Sequence, residues 1–395
     1  MTSNSPKINK LPFLVTGGCG FVGRHLINKL IPQGSDIWII DNLFTGKHPD
    51  IWLDKKFKKQ TNKDKIICYQ SDEQRIFFVN DDVINALTED IKFNNLLPDF
   101  SDVFHLASIV GGRAIIDGDP ILVAKDLAID SLFFLWATRR VKRIKRILYA
   151  SSSAAYPIHI QNNKKHIALQ EAMINFSEKF GLPDMTYGWS KLTGEYLSRL
   201  AAGRYGLSIA CVRPFSGYGE DQDLSYPIPA IARRVALREN PLTVWGTGKQ
   251  GRDFIHIDDC IDAFFIIMDK IHDGSGCNIG SGKILSFLEV LEVFSSLEGY
   301  KPEIKPLVDK PVGVTHRYSD IQLISKLGWK PKISCDEGFG KVLIAAKNRL
   351  LHDLVSYVAS NGKSDINNFD FSGIDKSEFL NNDSLDQLKD SLKII

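Results

Sequence analysis

Tyr187 and Lys191 stand four residues apart in Tyr187-Gly188-Trp189-Ser190-Lys191. On a helix that spacing puts a phenol and an ammonium on one face, so both can address the same site. A Lys cation beside a phenol favours the phenolate, and a phenol tuned towards neutrality is a general base able to take the proton of an alcohol. Taken alone, the spacing also fits any amphipathic helix face. Upstream, Ile147-Leu148-Tyr149-Ala150 reads as a strand running into Ser151-Ser152-Ser153-Ala154-Ala155-Tyr156. A hydroxyl at the carboxyl end of a strand sits where ligands bind in open α/β sheets.

A second group of residues points to phosphate. Val15-Thr16-Gly17-Gly18-Cys19-Gly20-Phe21-Val22-Gly23-Arg24 follows an apolar strand and opens an apolar helix. Glycines at 17, 20 and 23 permit a tight turn, close backbone approach to a pyrophosphate, and close packing of helix on sheet. The helix start at Phe21, Val22 and Gly23 offers free N–H groups and the positive end of a dipole. Eighteen residues after Gly23 comes Asp41, at the end of the next strand. A carboxylate there accepts hydrogen bonds from adenosine ribose hydroxyls and repels a 2′-phosphate, which selects NAD over NADP. A cationic nicotinamide ring near Tyr187 would join Lys191 in favouring the phenolate.

These residues need elements to hold them. Leu11 to Thr16, Asp36 to Asp41, Lys65 to Cys68 or Ile76 to Val79, Val103 to Ala107, Arg146 to Ser151 and Leu207 to Arg213 read as buried strands. Helical patterns run from Gly23 to Ile31 and Ala124 to Arg140, and through Tyr187 to Tyr205. Alternating strands and helices predict an α/β fold, a Rossmann-type doubly wound parallel sheet, over residues 1–213. After Pro214 the chain is less regular and richer in Pro and Gly, which predicts a smaller C-terminal α/β substrate domain over 214–350. A segment near 250–270, including a helix from Asp258 to Lys270, returns to the first domain. Lys47 to Lys65, with seven Lys and three Asp, reads as a solvated loop. Residues 351–395, with eight acidic groups and four Lys, read as a loosely ordered tail. Leu385, Leu388 and Leu392 within it have helical spacing.

The chain has 395 residues, 44% of them apolar and 24% charged, as in ordinary globular proteins. Lys and Arg number 49 against 47 Asp and Glu, so no global field draws the protein to nucleic acid or an anionic membrane. No apolar run reaches the roughly 18 residues of a membrane span, and Met1 to Lys10 lacks a secretory core. Six scattered cysteines show no zinc-type spacing, so no metal is expected, and the protein is expected in the cytoplasm.

Together these residues resemble the extended short-chain dehydrogenase/reductases of the nucleotide-sugar epimerase/dehydratase group, from about Leu11 to Leu350. The resemblance rests on the glycine loop, Asp41-Asn42-Leu43, His105-Leu106-Ala107, Ser151 to Tyr156 and Tyr187 to Lys191. It continues through Arg213 to Gly219, Gly251 to Asp259, Asn278-Ile279-Gly280 and Lys326 to Pro331. It implies bound NAD, a nucleoside diphosphate sugar (UDP- or GDP-linked) as substrate, and a homodimer formed through the long helices. By position, Tyr187 would be the base, Lys191 its partner and a nicotinamide-ribose ligand, and Ser152 a hydrogen-bond partner of the reacting sugar oxygen. Asn42, Asp82 and Ala107 would meet the cofactor, Asp82 at adenine, with Asp81 adjacent. Arg113, Ser153, Ser216, Arg252 and Arg317 would face the substrate, the two later arginines at its phosphates.

Departures from the family pattern narrow the reaction. Dehydratases and decarboxylases of the group usually carry an Asp or Glu just after the Ser or Thr, whereas Ser153, Ala154 and Ala155 supply none. Ile109 to Arg113, Tyr156-Pro157 and Gly313 to Asp320 resemble GDP-mannose 3,5-epimerase, but that enzyme's Cys base falls on Ala154 and its Lys on Tyr226. The family's usual Asn falls on Ser216. The sequence thus predicts an NAD-dependent epimerase acting at C4 of the sugar. The alternatives are a GDP-hexose 3,5-epimerase or epimerase-reductase, and a catalytically inactive NAD-binding regulatory protein.

Overall fold

A computed structural model describes residues 10–60, 65–93, 96–111, 118–162, 165–179 and 181–361, with side chains up to Asp353. The described residues open with strands β1 (Phe13–Thr16), β2 (Ile37–Asp41), β3 (Lys58–Gln60), β4 (Ile66–Gln70), β5 (Arg75–Asn80), β6 (Phe100–His105), β7 (Ile144–Ala150) and β8 (Ile209–Pro214). Then come β9 (Ser216–Tyr218), β10 (Leu242–Trp245), β11 (Gly251–Arg252), β12 (Phe254–His256), β13 (Asp273–Ile279), β14 (Leu285–Ser286), β15 (Ile304–Leu307) and β16 (His316–Arg317).

Nine strands form one sheet in the order β13-β8-β7-β6-β1-β2-β5-β4-β3. From β13 to β5 every neighbour pair is parallel. Strands buried on both faces must be apolar throughout, and Phe13-Leu14-Val15-Thr16 is buried at all four positions. One face packs Leu26, Ile27 and Phe264 against Val15 and Ile39. The other packs Leu87, Phe133 and Trp136 against Leu14 and Ile40. The strand order reverses between β1 and β6, so the ligand crevice of such a sheet lies at their carboxyl ends. That is where the glycine loop sits.

The alternatives Lys65 to Cys68 and Ile76 to Val79 are both strands: β4 and β5 form an antiparallel hairpin. The lysine-rich stretch is not a free loop. It holds a short helix, Pro49–Trp52, and the edge strand β3, paired antiparallel to β4. Phe57 anchors it in the core, while the Tyr69 hydroxyl and Lys59 ammonium hydrogen-bond Asp50 at 2.6 and 2.7 Å. Exposed lysines on an edge strand also discourage pairing with another chain.

The helix Ile257–Lys270 packs on the first sheet through Cys260, Ile261 and Phe264 in its core and a Lys29–Asp262 ion pair at 2.7 Å. The chain then continues into β13, which completes the sheet beside β8. A separate apolar cluster, including Ile231, Val244, Phe294 and Phe339, forms the smaller unit. The helix Cys335–Asn361 closes that unit and runs past residue 351, where the tail was expected to start. The rest of the tail, including Leu385, Leu388 and Leu392, lies outside the described residues.

Candidate active site

The glycine loop leaves β1 through Gly17, whose φ of +70° is strained for any residue with a side chain. A Cβ there would also come within 2.8 Å of the Ala107 backbone. Gly20, which has no side chain, occupies the N-cap of the helix Phe21–Leu30. The first N–H groups of a helix, here those of Phe21, Val22 and Gly23, have no intrahelical acceptor and point towards the cleft. Such a cradle accepts a pyrophosphate at backbone distance.

Asp41 ends β2 beside this loop. Its carboxylate accepts the Cys19 N–H at 2.9 Å and the Leu43 N–H at 2.8 Å, and burial raises its pKa. Asp41, Asn42, Asp82, Ala107 and Lys125 line a cavity of about 90 Å³ beside the loop. Asp82, rather than Asp81, faces it; Asp81 is held on the outside by Lys65 at 2.5 Å. Burial works against the Asp82 charge, but hydrogen bonds from Lys125 at 2.7 Å and Asn42 at 3.1 Å hold its pKa below the usual range.

Past Gly17, Gly20 and Ser108 the space opens into a cavity of about 790 Å³. Phe21, Val22, Gly23, Ser152, Tyr187, Lys191 and Ser216 all line it. Tyr187 and Lys191 belong to the first turns of the helix Met185–Tyr205, which ends at Gly206 in the left-handed conformation. The Lys191 ammonium is buried, 5.7 Å from the centre of the Tyr187 ring. Burial raises the Tyr187 pKa, while the Lys191 charge and the nearby Ser152 hydroxyl pull it down. Ser152 is fixed by its own turn, where its hydroxyl accepts the Ala154 N–H at 3.1 Å.

Other expected substrate residues lie elsewhere. Arg252 and Arg317 are partners on the adjacent strands β11 and β16, and neither lines the large cavity. Arg317 donates to Gln161 at 2.6 Å and Asp184 at 2.7 Å, whereas Arg252 donates to the Val312 carbonyl at 2.9 Å. Ser153 is buried in the turn behind Ser152. Arg113 lies outside the described residues.

Residues 13–280 match the NAD dependent epimerase/dehydratase family. The chain belongs to that family. A putative UDP-glucose 4-epimerase of Methanocaldococcus jannaschii is 30% identical over 344 residues, covering 85% of this chain and 98% of its own. UDP-glucuronic acid decarboxylase 1 of Arabidopsis thaliana is 27% identical, covering 87% and 72%. The structure of the Thermotoga maritima UDP-glucose 4-epimerase with UDP-glucose superposes with a TM-score of 0.69 at 25% identity, over 86% of this chain and all of that one. The protein is therefore an NAD-dependent enzyme of the nucleotide-sugar epimerase and dehydratase kind. Its cradle suits the cofactor: there is no room for side chains at Gly17 and Gly23, and the Asp41 carboxylate borders the adjoining cavity.

Asp126 and Asp130 escaped the sequence reading. Both lie on the helix Lys125–Thr138 and both are fully buried. Two acids four residues apart in Lys-Asp-Leu-Ala-Ile-Asp-Ser-Leu-Phe-Phe-Leu-Trp, an otherwise apolar helix, were the available signal. Lys125 next to them, the partner of Asp82, was missed for lack of any local mark.

Proposed function

We propose that the protein epimerises a nucleoside diphosphate sugar at C4. Residues 1–213 with the returning segment hold NAD, and 214–350 hold the nucleotide sugar. One observation carries this reading: Ser152, Tyr187 and Lys191 meet at the cavity, and the residues after Ser152 fold into a buried turn with no acid or base. Asp221 and Asp223 line the cavity too, but they are engaged. Asp221 is tied to Arg24 at 2.5 Å and His25 at 2.8 Å, and Asp223 accepts the Ser225 N–H at 2.8 Å.

In this reading Tyr187 removes the C4 hydroxyl proton, with Lys191 stabilising the phenolate and Ser152 holding the sugar oxygen. Bound NAD supplies a hydride acceptor that gives back what it takes. Tyr187 then returns its proton once the 4-keto sugar presents its other face. The scheme needs no further acid or base. A decarboxylase or dehydratase would need a carboxylate that the turn at 153–155 lacks.

A homodimer accompanies this reading, with Leu135 on one long helix and Trp189 and Tyr196 on the other left exposed. Sedimentation equilibrium tests it. A cytoplasmic location also belongs to it, in keeping with six unpaired cysteines; cell fractionation checks that. Among the described residues no helix is long and apolar enough to cross a membrane.

Turnover of UDP- and GDP-sugars in heavy water tests the chemistry. At C4 the hydrogen travels as hydride and never meets water, so a C4 deuterium label should survive in the epimer. Deuterium entering at C3 or C5 would instead mark proton abstraction beside a 4-ketone, the 3,5-epimerase reaction. Ala154 has no ionisable group, and burial pushes the Tyr226 phenol well above its ordinary pKa, so neither suits that work.

A further inference from the structure

Lys191 is an ammonium almost wholly removed from water. A lone buried lysine sheds its proton, because desolvation disfavours the charged form. A neutral Lys191 would offer Tyr187 nothing. Its charge therefore needs a counter-ion, and the helix Lys125–Thr138 behind the site supplies Asp130 in ion-pair range, with a second buried acid, Asp126, one turn away.

Asp130 Oδ2 lies 3.9 Å from Lys191 Nζ. The Asp130 carboxylate is itself held by donors: the Tyr149 hydroxyl at 2.6 Å, the Ser190 hydroxyl at 3.4 Å and His105 Nε2 at 3.1 Å. His105 in turn meets the Thr16 hydroxyl through Nδ1 at 2.7 Å, and Thr16 accepts the Ala107 N–H at 3.3 Å. Burial lowers the His105 pKa, so the ring is neutral, donating from Nε2 and accepting at Nδ1. Asp126, one helical turn earlier, accepts the Ser108 hydroxyl at 2.6 Å and the Ile109 N–H at 2.5 Å. It thus ties the loop that follows β6 to the same helix.

We infer that Asp130 and Asp126 are positioning residues: Asp130 is the counter-ion that fixes the charge and place of Lys191, Asp126 adds to the same buried acidic field, and through Lys191 they set the pH range in which Tyr187 works. The inference rests on Tyr187 being the base proposed above. The pair acts in two senses. It keeps Lys191 protonated, and it opposes a second negative charge on the nearby phenol. Both carboxylates raise the titration of Lys191 and of Tyr187. The other groups around the two are Tyr149 and Ser152 from β7 and its turn, His105 from β6, Ser190 from the long helix, and Tyr226 from the smaller unit. None of these carries a compensating positive charge. Removing one carboxylate should therefore move both titrations down together.

Asp126→Asn isolates the charge, since an amide can still accept from Ile109 and donate to Ser108. Asp130→Asn is the companion, with the amide accepting from Tyr149. The first measurement is the phenolate absorbance of the full-length protein, with and without NAD, taken as the difference from the matching Tyr187→Phe variant. Each substitution should lower the Tyr187 midpoint by about one pH unit. The second is the pH profile of turnover, whose two limbs should both shift to lower pH. Midpoints that stay in place in folded Asp126→Asn protein would overturn the inference and leave the acids a purely structural role. Should Asp130→Asn fail to fold, Asp126→Asn alone decides. If no nucleotide sugar turns over in the wild-type protein, the proposed function fails, while the absorbance titration still judges the counter-ion.

Discussion

Gly23 and Gly17 meet backbone to backbone: a Cβ on Gly23 would lie 2.4 Å from the Gly17 carbonyl oxygen. The helix carrying Gly23 can approach the loop this closely only because Gly23 has no side chain. That approach brings the helix N-terminus to the cavity proposed for the cofactor phosphates.

Gly23→Ala should force the helix away from the loop and weaken NAD binding at least tenfold. Overpacking of this sort also costs about 1–3 kcal/mol of stability. Isothermal calorimetry with NAD, paired with a thermal melt, checks both. Unchanged affinity would mean that the loop does not hold the phosphates.

Asp41 should make the protein prefer NAD to NADP, because its carboxylate lines the cavity proposed for the cofactor ribose and no Arg immediately follows it. Titration of both cofactors tests this, and tighter NADP binding would remove Asp41 from the ribose site. Asp41→Asn should narrow the difference.

Tyr187→Phe should leave NAD bound and lower turnover about 10²–10⁴-fold, the usual cost of losing one positioned acid or base. The ring still packs, so the melting temperature should barely move. An unchanged rate would place the base elsewhere.

His25 gives a pH signature to stability. Burial opposes its charge, but hydrogen bonds to Asp221 and Asp258 outweigh that and raise its pKa to about 9. A raised histidine pKa stabilises the fold in full below the unfolded value, near 6.5, and the benefit is lost as pH climbs through 9. The melting temperature should therefore fall between those values. His25→Gln should flatten that slope; an equal slope in the variant would assign it to other groups.

Much of the architecture was legible in the sequence. The central strands β1 and β2 are buried almost throughout and so are nearly continuously apolar, and the glycine spacing at 17, 20 and 23 has few other uses after a strand. Between Lys47 and Gln70 the pattern misled, because an edge strand covered by lysine tails carries little apolar signal. There, Phe57 and the Asp50 hydrogen bonds to Tyr69 and Lys59 hold the segment, and they join residues distant along the chain.

The chain by itself determined the cofactor cradle and the phenol–ammonium pair, because each is built from residues close in sequence whose spacing matches one turn or one helical face. The tertiary structure alone decided which charges surround them. Asp130 reaches Lys191 only because the helices Lys125–Thr138 and Met185–Tyr205 pack together, 60 residues apart along the chain at Ser190 and Asp130. Likewise Arg317 is committed to Asp184 across 133 residues. Local spacing reports local faces; the partner of a buried charge is set by packing, where the cost of leaving it unpaired is paid.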